Sequence, residues 1–380
     1  MKRRCGENSH ETSSPLTTRL LHDIDIPLDL TVEILKKLPT KSLMRFRCVS
    51  KLWSSIITMR RDFIDWIVTR SLTQTPCDAH RIFNMNLRCY TQCYLSFSST
   101  NARNTHKESV SIPRTAGQYV RGLFLCLPCK SLEAAISNPT TRQYFNLPKM
   151  KHSGKGNCFF GYDPLENQYK VLFIPKEPAE QPCQVFTLGD PMAKQWRNIQ
   201  GIESQFPIRY AYREICINGV IYFITRSTDT SFEYNKLISF DIRSEKFHHI
   251  DTPKTLIKLG WFPINYQGKL GLMYCKDCVE IWVMENAEKK TQRWSKIFFY
   301  EMAGFEKWCV PGVTRGGEIV FSNSGCLYDN DVLRVFYYNP NCNSMRYVDL
   351  EDIYPKESRP KTSLFIWTIP DYVENTMCLY

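Results

Sequence analysis

The apolar positions between residues 26 and 57 recur at the spacing of amphipathic helices. A first helix is predicted with Asp29 as its N-cap, because an aspartate side chain can accept hydrogen bonds from the free backbone N–H groups of a first turn. Pro39 ends this helix, since proline lacks a backbone donor and clashes with the preceding turn. The predicted apolar stripe has the spacing i, i+4, i+5 and i+8 and consists of Leu30, Ile34, Leu35 and Leu38.

Two further short helices follow, one from Thr40 or Lys41 and one from about Ser50. Their apolar residues are Leu43, Phe46 and Val49 in the second helix and Leu52, Trp53, Ile56 and Ile57 in the third. A three-helix module within residues 23–70 has a very small core, near the limit of independent folding. Its apolar surplus predicts a surface that a partner covers. The alternative is a helical cap on the next domain, with Pro39 and Trp53 packed internally.

After about Ser71 the helical spacing gives way to short alternating apolar segments with a recurring turn glycine. Gly219, Gly268 and Gly317 are 49 residues apart, and two further steps back lead to Gly122. Each anchor precedes a predicted strand, and these strands are Leu123 to Leu127, Val171 to Ile174, Val220 to Ile224, Leu270 to Met273 and Ile319 to Phe321. Pairs such as Asn218-Gly219 are typical of two-residue hairpin turns, whose two central residues need positive φ.

A second marker has the same period. Aromatic residues recur 47 to 53 positions apart, at Phe145, Trp196, Phe247, Trp294 and Tyr347. A repeat of about 50 residues with two hairpins is the size of one kelch-like propeller blade. Residues 80–112 together with Leu364 to Thr368 are predicted to complete a sixth blade and close the ring, because an open ring would expose unpaired strand edges.

The chain is therefore predicted to be an α+β multidomain protein. A flexible leader (1–22) precedes the three-helix module (23–70) and an all-β, propeller-like domain of about 50-residue repeats (78–380). The alternative for the last domain is a two-sheet sandwich, which alternating strands would also fit.

Composition narrows the classes of partner. The formal net charge is +11, and the basic excess is spread along the chain rather than concentrated in a stripe, so nucleic acid is not an expected partner. The longest apolar stretches, such as Cys216 to Thr225, are about half the length of a membrane span. With 16 cysteines and no secretory signal, the chain is expected to keep free thiols in a reducing compartment.

The helical module resembles an F-box in the form common among plant proteins. The resemblance rests on Ile26-Pro27-Leu28-Asp29-Leu30, Glu33-Ile34-Leu35, Leu38-Pro39, Lys41-Ser42-Leu43, Arg45 to Lys51 and Trp53. In that family the module docks on the Skp adaptor of a cullin-based ubiquitin ligase. The resemblance implies that the adaptor is contacted by Pro27, Leu28, Ile34, Pro39, Leu43, Val49 and Trp53.

The β region resembles the F-box-associated domain of the same plant proteins. This resemblance rests on Ile136-Ser137-Asn138-Pro139-Thr140, Gly161-Tyr162-Asp163-Pro164 and Tyr169-Lys170-Val171-Leu172. The polar segment at 100–112 and a divergent fifth repeat depart from the family's pattern. Because targets vary among members, the resemblance implies a target-binding domain without assigning its contact residues.

No catalytic residue, metal site or cofactor is predicted. The pairs Cys126/Cys129 and Cys275/Cys278 are nearly 150 residues apart, whereas zinc sites usually need two such pairs close together. The loop at 153–157 lacks the order of a phosphate-binding loop. Loop aromatic residues remain as candidates for binding a protein, namely Tyr210, Trp261, Phe262, Tyr266 and Trp308.

The leading hypothesis is a non-catalytic substrate-recognition adaptor of a Skp-cullin-F-box ubiquitin ligase. It would act by proximity, binding the Skp adaptor through the helices and a target protein through the β domain. One alternative is a propeller-type enzyme with a helical extension, which needs converging polar groups on the propeller axis. Another is a receptor for a small ligand. Cytoplasm and nucleus are both expected locations.

Overall fold

The computed structural model describes residues 26–73, 80–86, 92–98, 108–113, 115–127, 134–149, 156–175, 182–189, 195–200, 211–227, 234–256, 260–275, 278–285, 292–301, 308–323, 334–349, 364–369 and 371–379. The predicted leader lies outside the described residues. In the part of the chain so described, no helix combines the length and the apolar character needed to cross a bilayer.

Four helices form the N-terminal module, one more than predicted. They are α1 (Leu28–Lys36), α2 (Thr40–Phe46), α3 (Lys51–Met59) and α4 (Arg61–Thr73). Asp29 is not the N-cap of α1. Pro27 holds that position with φ −50° and ψ 142°, so Asp29 lies in the first turn. Pro39 separates α1 from α2, and the Ser50 hydroxyl caps α3 by accepting a hydrogen bond from Trp53 N at 3.1 Å.

The fourth helix completes the core of the module. Its apolar residues Phe63 and Ile67, one turn apart, are fully buried. They pack against the buried side chains of the other three helices, which are Val32, Leu35, Leu43, Ile56 and Ile57. The module therefore encloses its own small core.

Most of the remaining described chain forms six four-stranded antiparallel sheets, which we number as blades in chain order. Blade 1 contains β24 (Leu364–Ile369), β1 (His80–Asn86), β2 (Gln92–Ser98) and β3 (Glu108–Pro113). Blade 2 contains β4 (Thr115–Val120), β5 (Leu123–Leu127), β6 (Ala135–Asn138) and β7 (Gln143–Asn146). Blade 3 contains β8 (Gly156–Asp163), β9 (Gln168–Pro175), β10 (Cys183–Leu188) and β11 (Arg197–Ile199).

The remaining blades repeat this arrangement. Blade 4 contains β12 (Ala211–Ile217), β13 (Val220–Ser227), β14 (Tyr234–Asp241) and β15 (Lys246–Ile250). Blade 5 contains β16 (Trp261–Tyr266), β17 (Lys269–Cys275), β18 (Cys278–Met284) and β19 (Trp294–Glu301). Blade 6 contains β20 (Trp308–Val313), β21 (Ile319–Asn323), β22 (Arg334–Asn339) and β23 (Ser344–Asp349). The propeller prediction is confirmed, and the sandwich alternative is wrong.

Both sequence markers fall at fixed places in the blades. The turn glycines lie between the first two strands of blades 2, 4, 5 and 6 with φ near +85°, and the residue before Gly122, Gly219 and Gly268 also has positive φ. Blade 3 has no glycine there, and Asn167 takes the positive φ instead. The recurring aromatic residues lie on or next to the fourth strand of blades 2 to 6. The need for positive φ at this turn thus explains why a turn glycine recurs along the sequence.

The ring closes in the first blade, as predicted. Strand β24 pairs antiparallel with β1, from Arg81 opposite Ile369 to Asn86 opposite Leu364. Strand β24 also contacts β20 of the preceding blade. Because β24 takes the innermost position of the blade, the two ends of the propeller domain are joined by backbone hydrogen bonds.

Neighbouring blades are held by apolar layers and, between blades 3 and 4, also by ionic contacts. Between blades 3 and 4, Phe159 stacks on Phe223 with ring centroids 4.5 Å apart. Beside this layer, Lys170 Nζ donates to Ile242 O and to Glu245 Oε1, both at 2.9 Å. Arg197 of blade 3 also binds the Glu245 carboxylate. Glu245 therefore links blade 4 to two cations of blade 3.

Candidate functional site

The helical module exposes a concentrated set of large apolar side chains. Of the eleven exposed residues of this type among the described residues, seven lie between positions 26 and 59. They are Ile26, Leu28, Leu30, Ile34, Val49, Leu52 and Met59, which are 42–60% exposed, and we call them the apolar ridge. Since the module already has a complete core, these side chains are in excess of what its folding requires.

Helical geometry explains why these residues stay outside. Leu30 and Ile34 are one turn apart on α1, so they share a face, and Leu52 and Met59 are two turns apart on α3. The opposite face of α1 buries Thr31, Val32 and Leu35. The apolar stripe predicted for α1 is therefore partly wrong. Leu35 is buried, but Leu30 and Ile34 project from the module.

The seven residues predicted to contact the adaptor differ in their exposure to solvent. Pro27, Leu28, Ile34, Pro39 and Val49 are exposed. Trp53 is half-buried and packs edge-on against Phe46, with ring centroids 5.6 Å apart. Leu43 is fully buried in the core of the module. Its prediction is corrected, because a side chain enclosed by α2, α3 and α4 supports the exposed surface and cannot touch a docked partner.

Four residues of the apolar ridge were absent from the predicted contact set. They are Ile26, Leu30, Leu52 and Met59. The spacing of Leu30 and Ile34 placed both residues on one face of α1, but it could not show which face points inward. The hydrophobic stripe of α4 supplies that information, because it covers the opposite side of α1.

The helical module packs on one end of the propeller through a polar junction. The Arg121 guanidinium, at the first turn of blade 2, pairs with the Asp65 carboxylate of α4 and lies 4.3 Å from the ring centroid of Tyr162. The Tyr162 hydroxyl is 3.4 Å from Asp65 Oδ1 and 2.8 Å from Asn167 Oδ1. Burial raises the pKa of Tyr162 to about 12, so this hydroxyl stays protonated and donates a hydrogen bond.

A cavity of about 390 Å³ lies in this junction. Helices α3 and α4 contribute Met59, Ile64 and Val68 to its wall, and the propeller contributes Leu188. Cavities of this size at domain interfaces are typical of small-molecule sites. This cavity lies between the helices and the near end of the propeller.

The two ends of the propeller ring can be distinguished by their position relative to the helices. The first turns of neighbouring blades adjoin one another, since Asn218 Nδ2 donates to Gly268 O at 3.0 Å and Gln267 lies against Gly317. Arg121 and Asn167, which meet the helices, belong to the same set of turns. We call this end of the ring the near face. The opposite end, where the innermost strands begin, is the far face.

The aromatic candidates divide between these faces. Trp261 begins β16 at the far face but is only 1% exposed, so its prediction as a loop anchor is wrong. Phe262 follows it, half-buried, with the Arg213 guanidinium 4.6 Å from its ring centroid. Tyr266 ends the same strand at the near face. Trp308 begins β20 at the far face, and its side chain lies outside the described residues, as does Tyr210.

Three innermost strands are irregular where they begin at the far face. Strand β4 has a bulge between Ala116 and Gln118, and β20 has one between Cys309 and Gly312. The bulge of β12 contains Arg213, with φ +52°, and the partly exposed Glu214. Bulges redirect side chains and often adjoin binding sites. The far-face mouth of the ring therefore has side chains that do not follow the regular alternation of the strands.

Glu214 makes the stability of the propeller depend on pH. Burial raises the pKa of its carboxyl to about 7, from an ordinary value of 4.5. The contribution of Glu214 to stability is therefore most favourable below about pH 4.5 and falls as pH rises to 7. We expect Glu214→Gln to increase the free energy of unfolding at pH 8 by about 1 kcal/mol, which raises the melting temperature by roughly 2–4 °C. Near pH 4.5 the substitution should have no effect.

Thermal melts of the two proteins between pH 4.5 and 8 measure this difference. An equal difference in melting temperature at every pH would contradict the assignment to Glu214.

No group of three or more metal-binding side chains lies together among the residues with described positions. Cys126 of the first Cys-x-x-Cys pair is buried in blade 2, whereas Cys278 of the second lies in blade 5. Cys126 and Cys278 thus lie on different blades.

Comparisons with known proteins agree with this architecture. Residues 24–65 match the F-box domain family, and residues 80–373 match the family described as F-box associated beta propeller domain. The putative F-box protein At5g50220 of Arabidopsis thaliana is 45% identical over 389 aligned positions, which cover 99% of this chain and 100% of the relative. The F-box protein At1g52495 of the same plant is 41% identical, over 94% of this chain and 88% of the relative. The chain belongs to the F-box proteins that carry an F-box-associated β-propeller domain.

Proposed function

We propose that this protein is a non-catalytic target receptor of a Skp-cullin-F-box ubiquitin ligase. In this role the helical module binds a Skp-family adaptor and the propeller binds a protein target. The observation that carries the proposal is the apolar ridge, exposed on a module whose core is already complete. An interface of ordinary size buries ~1,600 Å² and is centred on a few apolar or aromatic anchors. The ridge supplies such anchors.

The mechanism would be proximity. Partner subunits supply the chemistry of ubiquitin transfer, and the receptor holds a target at high effective concentration beside them. Such a receptor would act in the cytoplasm, the nucleus or both.

Target binding is proposed for the far face of the propeller. The near face is already in contact with the helices, because Arg121 and Tyr162 both contact Asp65 of α4. The far face is where the described strands β5 and β6, β13 and β14, and β21 and β22 end and begin, so the chain joins each of these pairs on that side. Loops of this kind, held by a rigid scaffold, are common binding elements.

The adaptor interface is tested with a single charge. Ile34→Asp places a carboxylate on the apolar ridge without touching the core, so the protein should fold normally. We expect its affinity for a purified Skp adaptor to fall at least 30-fold, about 2 kcal/mol, because the carboxylate would be buried without a partner. Isothermal titration calorimetry measures the affinity.

Met345→Asp is the matched control, since Met345 is 53% exposed on β23 of the propeller. It should leave adaptor affinity unchanged. Equal affinities for Ile34→Asp and the unmodified protein would overturn the proposed role of the ridge.

A further inference from the structure

Residues 371–379 form a segment that has no regular secondary structure and yet is mostly buried. Its buried side chains are Tyr372, Val373, Asn375, Thr376, Cys378 and Leu379. We call this segment the strap. A buried backbone without a helix or sheet needs other hydrogen-bond partners, and these partners show what the segment connects.

On one side, the strap is held by blade 2. Asn138 Nδ2 donates to two strap carbonyl groups, Asn375 O at 2.9 Å and Met377 O at 2.8 Å. Further along, Leu379 N donates to Gln143 Oε1 at 3.1 Å. Blade 2 thus fixes the strap through side chains from the turn between β6 and β7.

On the other side, the strap is held by the helical module. Cys378 N donates to Thr58 O, at the end of α3, at 3.0 Å. Glu374 N lies 3.3 Å from Ser71 Oγ of α4. Helices α3 and α4 and blade 2 therefore all bind the same nine residues.

The centre of the strap is in close contact with the near face. Asn375 is fully buried, and its Nδ2 donates to Arg121 O and to Tyr169 OH, both at 2.8 Å. A Cβ atom on Gly122 would be 2.6 Å from Asn375 Cβ. The absence of a side chain at Gly122 is what lets the strap lie this close to the turn.

We propose that the strap is a positioning element that fixes the orientation of the helical module on the propeller, and thereby selects which lysines of a bound protein reach the ubiquitin-transfer centre. The second half of this inference rests on the proposed ligase function. The first half rests on the contacts alone. A single segment that shares hydrogen bonds with α3, α4 and blade 2 restricts their relative rotation, which one ion pair between Asp65 and Arg121 would not do.

The decisive variant is Asn138→Asp. The carboxylate keeps the Oδ1 acceptor used by Thr140 N, at 3.0 Å, but loses both N–H donors to the strap. Asn339→Asp is the matched control. Asn339 is in the corresponding turn of blade 6, where its Oδ1 also accepts a backbone bond at 3.0 Å, from Asn341 N.

The first measurement is hydrogen–deuterium exchange of the full-length protein. We expect amides in residues 371–379 and in α4 to exchange about tenfold faster in Asn138→Asp, and at the normal rate in Asn339→Asp. Equal exchange in the two variants would overturn the assignment of Asn138 as an anchor of the strap.

The second measurement needs no identified target, because a receptor in a reconstituted ligase can be modified on its own lysines. Mass spectrometry gives the distribution of ubiquitin over these lysines. We expect a few dominant lysines in the unmodified protein and in Asn339→Asp. In Asn138→Asp the same total amount of attached ubiquitin should be distributed over at least twice as many lysines. The affinity for the adaptor should stay unchanged.

The outcomes separate the two proposals. Faster exchange with an unchanged lysine pattern would overturn the positioning role and leave the strap as a packing element. Failure of the unmodified protein to bind the Skp adaptor would overturn the ligase function, whereas the exchange result would still decide the orientation.

A second pair of variants guards against effects specific to Asn138. Gly122→Ala pushes a methyl group against the strap, whereas Gly268→Ala adds one at an ordinary contact distance of 4.0 Å from Asn218 Nδ2, at a turn with nearly the same φ, +82° against +87°. Because both variants carry the same backbone strain, faster exchange of the strap in Gly122→Ala alone supports the proposal. Equal exchange counts against it.

Discussion

Leu43→Asp will unfold the helical module and abolish adaptor binding. Loss of a buried leucine side chain costs about 2–5 kcal/mol, and enclosing a carboxylate in the core adds to that cost. A core of this size rarely supplies more than ~3–5 kcal/mol to the free energy of unfolding, so the cost of the substitution is as large as the stability of the module. Circular dichroism should show lost helical signal, and hydrogen exchange should show lost protection across residues 28–73.

Leu30→Asp is the matched comparison for this core variant. It makes the same chemical change on a side chain that is 57% exposed, so the helices should remain folded. Adaptor affinity should still fall, because Leu30 lies on the apolar ridge beside Ile34. Normal folding of Leu43→Asp would contradict the description of the module's core.

Glu245→Gln will produce the second large effect, by weakening the contact between blades 3 and 4. The variant leaves Lys170, which is 8% exposed, without an anionic partner. Loss of one partner from a largely buried ion pair costs about 3–5 kcal/mol, and the half-exposed Arg197 reduces the expected value to about 2–4 kcal/mol. The melting temperature should fall by roughly 5–10 °C.

The same substitution has a definite pH signature. Burial alone would raise the pKa of Glu245, but hydrogen bonds from Arg197 and Lys170 outweigh it and hold the pKa below the ordinary value of 4.5. The stabilisation by this carboxylate is therefore present above about pH 4.5 and is lost as pH falls through the lowered pKa. Melts in acid should accordingly show the two proteins converging.

Glu280→Gln is the control for this experiment. Its partner Lys296 lies in the same blade, with the two charged atoms 2.9 Å apart, so no contact between blades is lost. An equal loss of melting temperature in both variants would contradict a special role for the contact between blades 3 and 4.

The sequence predicted the propeller better than it predicted the binding surface. Gly122, Gly219 and Gly268 repeat because each blade needs positive φ at one turn, and this is a local demand that a sequence displays directly. The inward or outward direction of Leu30 and Leu43 depends on α4, whose stripe of Phe63, Ile64, Ile67 and Val68 has helical spacing and could have been recognised.

The strap could not be predicted by the same reasoning. Residues 371–379 have neither the period of a helix nor that of a strand, and their burial depends on side chains more than 200 positions away. Asn138 is part of an Asn-Pro turn motif, but its second function, binding strap carbonyl groups, follows only from tertiary contact. Irregular segments fixed by distant side chains are beyond pattern analysis.

The pairing of β24 with β1 affects how the protein is made. Arg81 and Ile369 are opposite each other in the sheet but 288 positions apart in the chain, so after Arg81 the ribosome must synthesise 288 further residues before this pair can form. Until then, the edge of β1 is free to pair with other nascent chains, and such long-range contacts form slowly. The newly made receptor should therefore depend on chaperones late in translation, and its yield in cells should respond to the supply of chaperones more strongly than its melting temperature alone would indicate.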